Sequence, residues 1–286
     1  KGADLAPHSD DASEDALNFV NFIPETHMPI TETMGSIVAL ALGLVVGSFL
    51  NVVIYRLPRR QSIVFPGSHC TNCGFTLKWY HNIPVFSYLA LGGKCAQCGE
   101  RISLIYPLVE LLTGGITVLL FIKFGVSLTF LFLFLFCVSL VAISFIDLEF
   151  QIIPDSISLP GIIVGFGSSF LRPDLGVMDS LIGAVAGGGI LLLIFFGYYA
   201  VTKREGMGMG DVKLLAMIGA FLGWRSLLFI ILASSFMGAI IGGVLMVARK
   251  QDSKLAIPFG PFLSLGATLY LFAGQDLINW YFDLLL

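Results

Sequence analysis

The chain has 286 residues, of which 56% are hydrophobic and only 12% charged, with a mean hydropathy of +0.90. Soluble domains usually carry about a quarter of their residues as charges, so this composition excludes an ordinary soluble fold and places the chain in a bilayer. The net charge of -3 is a poor guide, because Asp4, Asp10, Asp11, Glu14, Asp15, Glu25 and Glu32 all precede the first apolar run and the remainder is slightly basic. The basic residues are spread through short connections without a dense patch or interleaved aromatics. That pattern argues against nucleic acid as a partner and leaves membrane lipid headgroups as theirs.

Residues 1–33 form an acidic extension with no motif, and no function is assigned to it. A hydrocarbon core about 30 Å thick needs roughly 20 apolar residues per spanning helix. Apolar runs between charged or turn-rich breaks fall at about 34–55, 104–122, 127–146, 157–171, 180–201, 212–223, 226–248 and 258–274. The fourth, sixth and eighth are short, as expected of helices that stop inside the bilayer, which is tolerated where their backbone lines a wet cavity or is covered by protein. The expected architecture is an all-α polytopic membrane protein with about eight transmembrane helices. Residues 34–55 make the first, 56–103 a small domain between the first and second, 104–274 the main membrane domain and 275–286 a C-terminal tail.

Lysine and arginine set the orientation. With the N-terminus outside, the inside connections hold Arg56, Arg59, Arg60, Lys78, Lys94, Arg101, Lys203, Arg204, Lys213, Arg249, Lys250 and Lys254, and the outside ones only Lys1, Lys123, Arg172 and Arg225. The 56–103 segment is therefore expected on the cytoplasmic side. Gly-x-x-x-Gly pairs at 43/47, 161/165, 183/187, 219/223 and 238/242 are read as close helix packing.

Within 56–103, Cys70-Thr71-Asn72-Cys73 and Cys95-Ala96-Gln97-Cys98 are each followed by glycine. A Cys-x-x-Cys turn puts two thiolates on one side of a tight loop, and two such loops close a tetrahedral sulfur site around zinc. Four thiolates leave no open coordination position, so the expected zinc is structural and folds a segment too small for its own core. His69 and His81 are read as surface or supporting groups around that site. Cys137, alone in an apolar run, is read as a small core residue.

An acid at membrane depth is costly and is by default a functional candidate. Asp147 closes the third run and Asp211 opens the sixth, and the orientation set by the cations puts both on the cytoplasmic side. Two neighbouring carboxylates do not both ionise easily, so they share a proton; one activates water while the other donates to a scissile carbonyl oxygen. Gly206, Gly208 and Gly210 let backbone pass close to a peptide or to the partner acid. Other readings of the pair are a helix cap for Asp211 and a solvated helix end for Asp147. Around them, Glu149 is either a third acid tuning the pair or a solvated charge, Asp155 an N-cap, and Lys213 a cation that lowers the Asp211 pKa or holds a substrate acid, or else one that snorkels to headgroups. Glu110 in the second span pairs with a buried polar group or lines a substrate path.

These motifs resemble those of the bacterial type IV prepilin peptidases, over about residues 34–274. Gly47-Ser48-Phe49-Leu50-Asn51-Val52-Val53-Ile54-Tyr55-Arg56-Leu57-Pro58 is similar to the family's first span. The paired cysteines, with Asn82-Ile83-Pro84-Val85 between and Tyr106-Pro107-Leu108-Val109-Glu110 after, are similar to its cytoplasmic zinc domain. Ile146-Asp147 through Ile153-Pro154-Asp155 resembles the first catalytic motif, and Gly206 through Met217 the second. The resemblance implies that Asp147 and Asp211 are the catalytic pair, with Gly208, Gly210, Lys213, Glu149 and Asp155 in support. It also implies cleavage of the leader of prepilins and type II secretion pseudopilins at a Gly-Phe type bond on the cytoplasmic face of the inner membrane, followed by methylation of the new N-terminus from S-adenosylmethionine. No glycine-rich methyltransferase fingerprint is present, so that cofactor's site is unassigned. The alternative from another class is a proton-coupled transporter using the same acids, for which related halves are expected and no repeat is evident.

Overall fold

A computed structural model describes residues 29–203, 208–249 and 258–285. Residues 1–28 of the acidic extension, Arg204, Gly206 and Met207, and Lys250 and Lys254 lie outside the described residues. The described chain is helical, with no strand beyond two isolated bridges. In order, the helices are α1 (Pro29–Arg56), α2 (Phe86–Ala90), α3 (Ile105–Phe124), α4 (Leu128–Phe150), α5 (Asp155–Ser168), α6 (Val177–Thr202), α7 (Met209–Leu222), α8 (Arg225–Arg249), α9 (Gly260–Leu269) and α10 (Gln275–Leu285). A short 3-10 turn (Trp79–Asn82) precedes α2, and a π segment (Tyr270–Gly274) joins α9 to α10. Each of the eight apolar runs is thus matched by a helix, and the tail expected at 275–286 is largely helical too.

Among the described residues, five helices are long and apolar enough to cross a membrane: α1, α3, α4, α6 and α8. Two further helices, α5 and α7, have 14 residues each, which at 1.5 Å per residue gives about 21 Å, short of a hydrocarbon core. α7 can be short because protein covers it: Leu214, Leu215, Met217 and Ile218 are fully buried. Phe136 of α4 stacks on Phe221 of α7 with ring centroids 4.6 Å apart.

Missing side chains let the helices meet. A Cβ at Gly43 would lie 2.7 Å from the Gly114 Cα, and one at Gly47 2.7 Å from the Glu110 Cα, so α1 lies backbone to backbone on α3. Between α6 and α7, a Cβ at Gly183 would overlap the Gly219 carbonyl, and one at Gly187 would sit 2.5 Å from the Leu215 carbonyl oxygen. The packing reading of these pairs holds there. Gly223 differs: it ends α7 at a positive φ of 77°, a turn position.

At the bundle end away from the cysteine segment, the α5–α6 connection is clamped by Arg172. Its guanidinium donates to the Phe221 carbonyl at 2.9 Å and pairs with Asp174 at 2.6 Å, and Asp174 also accepts from the Thr129 hydroxyl at 2.9 Å. Burial raises the Asp174 carboxyl, but Arg172 and Thr129 outweigh it and hold the group below the ordinary carboxylate value. Because the folded-state value is depressed, the stabilisation is present above the unfolded pKa of about 3.9 and is lost as pH falls through the lower folded value. Asp174 is 40% exposed, so the pair contributes only about 1 kcal/mol or less. Asp174→Asn should unfold slightly more easily than wild type at pH 7 in detergent thermal melts, with the gap closing as pH falls below the ordinary carboxylate value.

Candidate active site

Asp147 lies one turn before the end of α4 and is only 5% exposed, so it is not a solvated helix end. The helix stops because Gln151 takes the left-handed conformation at φ 54° and its N–H returns to the Asp147 carbonyl at 2.9 Å. Asp211 is the third residue of α7, after Gly208 in the N-cap position, and is 8% exposed. Its carboxylate turns back to the Gly208 backbone N–H, as the third residue of a helix can, so the capping role and burial coexist. The two carboxylates are close enough for the charge of Asp147 to act on Asp211.

A third strand of chain completes this site. The N–H of Gly260, the first residue of α9, donates to Asp147 Oδ2 at 3.0 Å. A Cβ on Gly260 would stand 2.6 Å from that oxygen, so only glycine admits the contact as built. Ile153, in the turn after α4, joins both halves: a Cβ at Gly260 would lie 3.2 Å from its Cδ1, and one at Gly210 2.8 Å from its Cβ. Gly210, beside Asp211, and Gly260, bonded to Asp147, thus press on one isoleucine.

Sequence reasoning missed Gly260 and Ile153. A signal was present for the first: Pro258-Phe259-Gly260-Pro261 opens the last apolar run, and a proline just inside a helix start marks an N-terminus. Ile153 lies within the quoted Ile153-Pro154-Asp155 stretch, but as one apolar residue in an apolar turn it gave no sign of its packing between the two glycines.

The supporting residues separate. Asp155 is the first residue of α5 but makes no side-chain cap; Pro154 occupies the cap position, and the Asp155 carboxylate pairs with Lys213 at 2.6 Å. This corrects the N-cap reading of Asp155 and gives Lys213 an acid partner, tying the start of α5 to the start of α7. Glu149 is ion-paired with Arg59 at 3.2 Å, and Arg59 also covers the Tyr55 and Phe150 rings at 4.0 and 4.7 Å. It therefore tethers α4 to the chain just after α1. Gly210 stands immediately before Asp211 and packs on Ile153, and a Cβ at Gly208 would lie 3.7 Å from Asp211 Oδ2.

The four cysteines come together. Their sulfurs lie within 4.8 Å of one another, with Cys70 to Cys98 at 3.9 Å and Cys73 to Cys95 at 4.0 Å. Zn–S bonds of about 2.3 Å in a tetrahedron imply sulfurs about 3.8 Å apart, so the spacing fits such an ion. The two loops repeat one another: Gly74 N–H bonds the Cys70 carbonyl and Gly99 N–H the Cys95 carbonyl, both glycines at positive φ. Backbone N–H groups of Cys98 and Gln97 hold the Cys95 thiol down to about 6. The Phe75 N–H lowers Cys73, but burial and the three neighbouring thiols outweigh it and push Cys73 up to about 12. Four sulfurs at these distances could hold a metal ion among them. Cys137 is 1% exposed, a core residue as expected.

Residues 41–124 match the family described as the bacterial peptidase A24 N-terminal domain, and residues 134–243 the type IV leader peptidase family. Three similar proteins bear the name prepilin leader peptidase/N-methyltransferase. The one from Pseudomonas putida is 38% identical over 84% of this chain and 91% of its own length. That from Pseudomonas aeruginosa is 36% identical over 89% of this chain and 98% of its own. That from Myxococcus xanthus is 42% identical over 79% of this chain and 68% of its own. No solved structure matches at the same stringency. The transporter reading finds no support in these likenesses.

Proposed function

Since the chain belongs to the type IV leader peptidase family, we propose that it is a membrane aspartic endopeptidase with Asp147 and Asp211 as its catalytic pair. Its substrates are type IV prepilins and type II secretion pseudopilins, cut at a Gly-Phe type bond, and it then N-methylates the new terminus from S-adenosylmethionine. The site faces the cytoplasm of a bacterial inner membrane, the N-terminus lies on the periplasmic side, and eight helices enter the bilayer, three of them short. The observation that carries the reading is the burial of two mutually repelling carboxylates at one end of the bundle, each met by a backbone N–H from a glycine.

Cleavage needs one proton shared by the pair. The ionised carboxylate takes a proton from water as the water oxygen attacks the scissile carbonyl carbon, and the protonated one donates to the carbonyl oxygen. When the tetrahedral carbon collapses, the C–N bond breaks and a carboxyl returns a proton to the leaving nitrogen. Gly260 engages Asp147 Oδ2 and leaves Oδ1 for water or the shared proton. Gly208 and Gly210 leave room for an extended peptide. The Lys213–Asp155 pair holds the starts of α5 and α7 together, and Glu149 acts through Arg59 on the placement of α4.

Asp147→Asn and Asp211→Asn should each lower the rate of leader release from a purified prepilin by about 10³-fold or more, read on gels over a time course. Near-wild-type cleavage by either variant would remove the pair from the mechanism. Gly260→Ala puts a methyl 2.6 Å from Asp147 Oδ2, so Asp147 or α9 must shift, and it should lower kcat more than tenfold with KM little changed. A change confined to KM would instead place Gly260 in substrate binding.

Cys70, Cys73, Cys95 and Cys98 hold a structural zinc, all four positions filled, which folds the 56–103 segment. Elemental analysis of the purified chain should find one zinc per molecule. Its removal by a strong chelator should open the four thiols to alkylation while far-UV helicity changes little, because the membrane helices do not depend on the metal.

A further inference from the structure

A cavity of about 280 Å³ opens at the bundle end opposite the acid pair, walled by the end of α3, the α5–α6 connection, the end of α7, the π segment and the start of α10. Lys123 in its wall stands just before α4, and the stretch of α4 from Leu128 to Asp147 separates the two sites by roughly 30 Å. Cleavage chemistry at the acids makes no use of this end of the molecule.

Two cations in the wall are held by the fold with donors to spare. The Arg172 side chain is only 3% exposed, and its Nε, Nη1 and Nη2 each make one bond, the first and last to Asp174 and the middle one to the Phe221 carbonyl. A guanidinium has more N–H groups than that, so some of its donors are left for a further acceptor. Lys123 Nζ donates to the Leu271 and Phe272 carbonyls at 2.8 and 3.2 Å, which leaves its last N–H open. Both carbonyls belong to the π segment, a winding that is rare and concentrates at functional places. Positioned cationic donors around an open volume suit a group with several acceptor oxygens, as a phosphate has.

The wall is not simply basic. Asp174 is engaged by Arg172 and Thr129, but Asp276, exposed in the first turn of α10, bonds to no described residue. Two acids against two cations leave the wall neutral, so a free anion gains little there, whereas a zwitterion can set its phosphate on the cations and its ammonium against Asp276. Phe124, Tyr270 and Phe272 add ring faces, which attract an ammonium; Lys123 Nζ already lies 5.8 Å from the Phe124 centroid.

The surroundings are those of a bilayer surface. On α10, Leu277, Trp280 and Tyr281 recur at helical spacing and are exposed, with Asp276, Asn279 and Asp283 at the intervening positions. An apolar stripe bearing tryptophan and tyrosine belongs at a membrane–water boundary. α10 has no lysine or arginine to draw an anionic headgroup. Ile122, beside Lys123 on the membrane-spanning α3, is 68% exposed and turns towards acyl chains. We propose that the cavity seats the headgroup of a zwitterionic phospholipid of the phosphoethanolamine type, with the phosphate on Lys123 and Arg172, the ammonium against Asp276 and the acyl chains along α3. The bound lipid ties α10 to the end of α3.

The test is native mass spectrometry of the full purified chain in detergent, titrated with phosphatidylethanolamine or with phosphatidylglycerol of the same acyl chains. Soluble phosphoethanolamine and inorganic phosphate serve as competitors. Wild type should retain phosphatidylethanolamine about fivefold better, the scale of one partly exposed ion pair, and neither soluble competitor should displace it at equal concentration. Asp276→Asn, an exposed change, should abolish the preference without altering the melting temperature of the lipid-free chain. Lys123→Gln should weaken retention of both lipids about tenfold, as loss of a charged hydrogen bond does. Because Lys123 also holds the π segment, Asp276→Asn is the variant that decides. Equal retention of the two lipids by wild type, or a preference that survives Asp276→Asn, would overturn the site. Displacement by inorganic phosphate would make it a simple anion site, and displacement by phosphoethanolamine a site for a soluble zwitterion; either result would overturn the lipid assignment.

Discussion

Two carboxylates buried at one end of an apolar bundle set the terms for everything around them. A buried charge without donors is costly, and two neighbouring ones repel, so each needs a hydrogen bond or a shared proton. Side-chain donors would fill the space a substrate must enter. The structure uses backbone N–H groups instead, Gly208 for Asp211 and Gly260 for Asp147, and both come from helix starts, where N–H groups lack internal partners. A helix start exposed to lipid would leave its free N–H groups unsatisfied, and the start of α7 is instead covered by protein, with Asp211 and Val212 buried.

Much of this was legible in the sequence because it rests on local signals. Apolar run length marked all eight helical stretches, and Cys-x-x-Cys-Gly spacing marked a cluster whose sulfurs do meet. Counting cations put Asp147 and Asp211 at one end, and the fold places them there. What stayed hidden depends on contacts far apart in the chain. Gly260 and Asp147 are 113 residues apart, and neither periodicity nor composition couples such positions. Lys213 was read as acting on Asp211 or a substrate acid, or as snorkelling, whereas the fold pairs it with Asp155, itself misread as a cap because that partner lies 58 residues on. The left-handed Val85 was equally opaque, since nothing about a valine announces a positive φ.

The cysteine segment is attached to the membrane helices through three kinds of bond that fail independently. Arg56, buried at the end of α1, donates to the Ser62 and Gly67 carbonyls and fixes where the segment leaves the helix. Glu110 takes the Val85 N–H and fixes its middle against α3. Arg59 reaches across to Glu149 and ties the whole assembly to α4. A segment this small would otherwise be free to tumble on two tethers. The spacing of the four sulfurs would let an ion clamp the segment at its far side, while these bonds hold its near side against α1, α3 and α4.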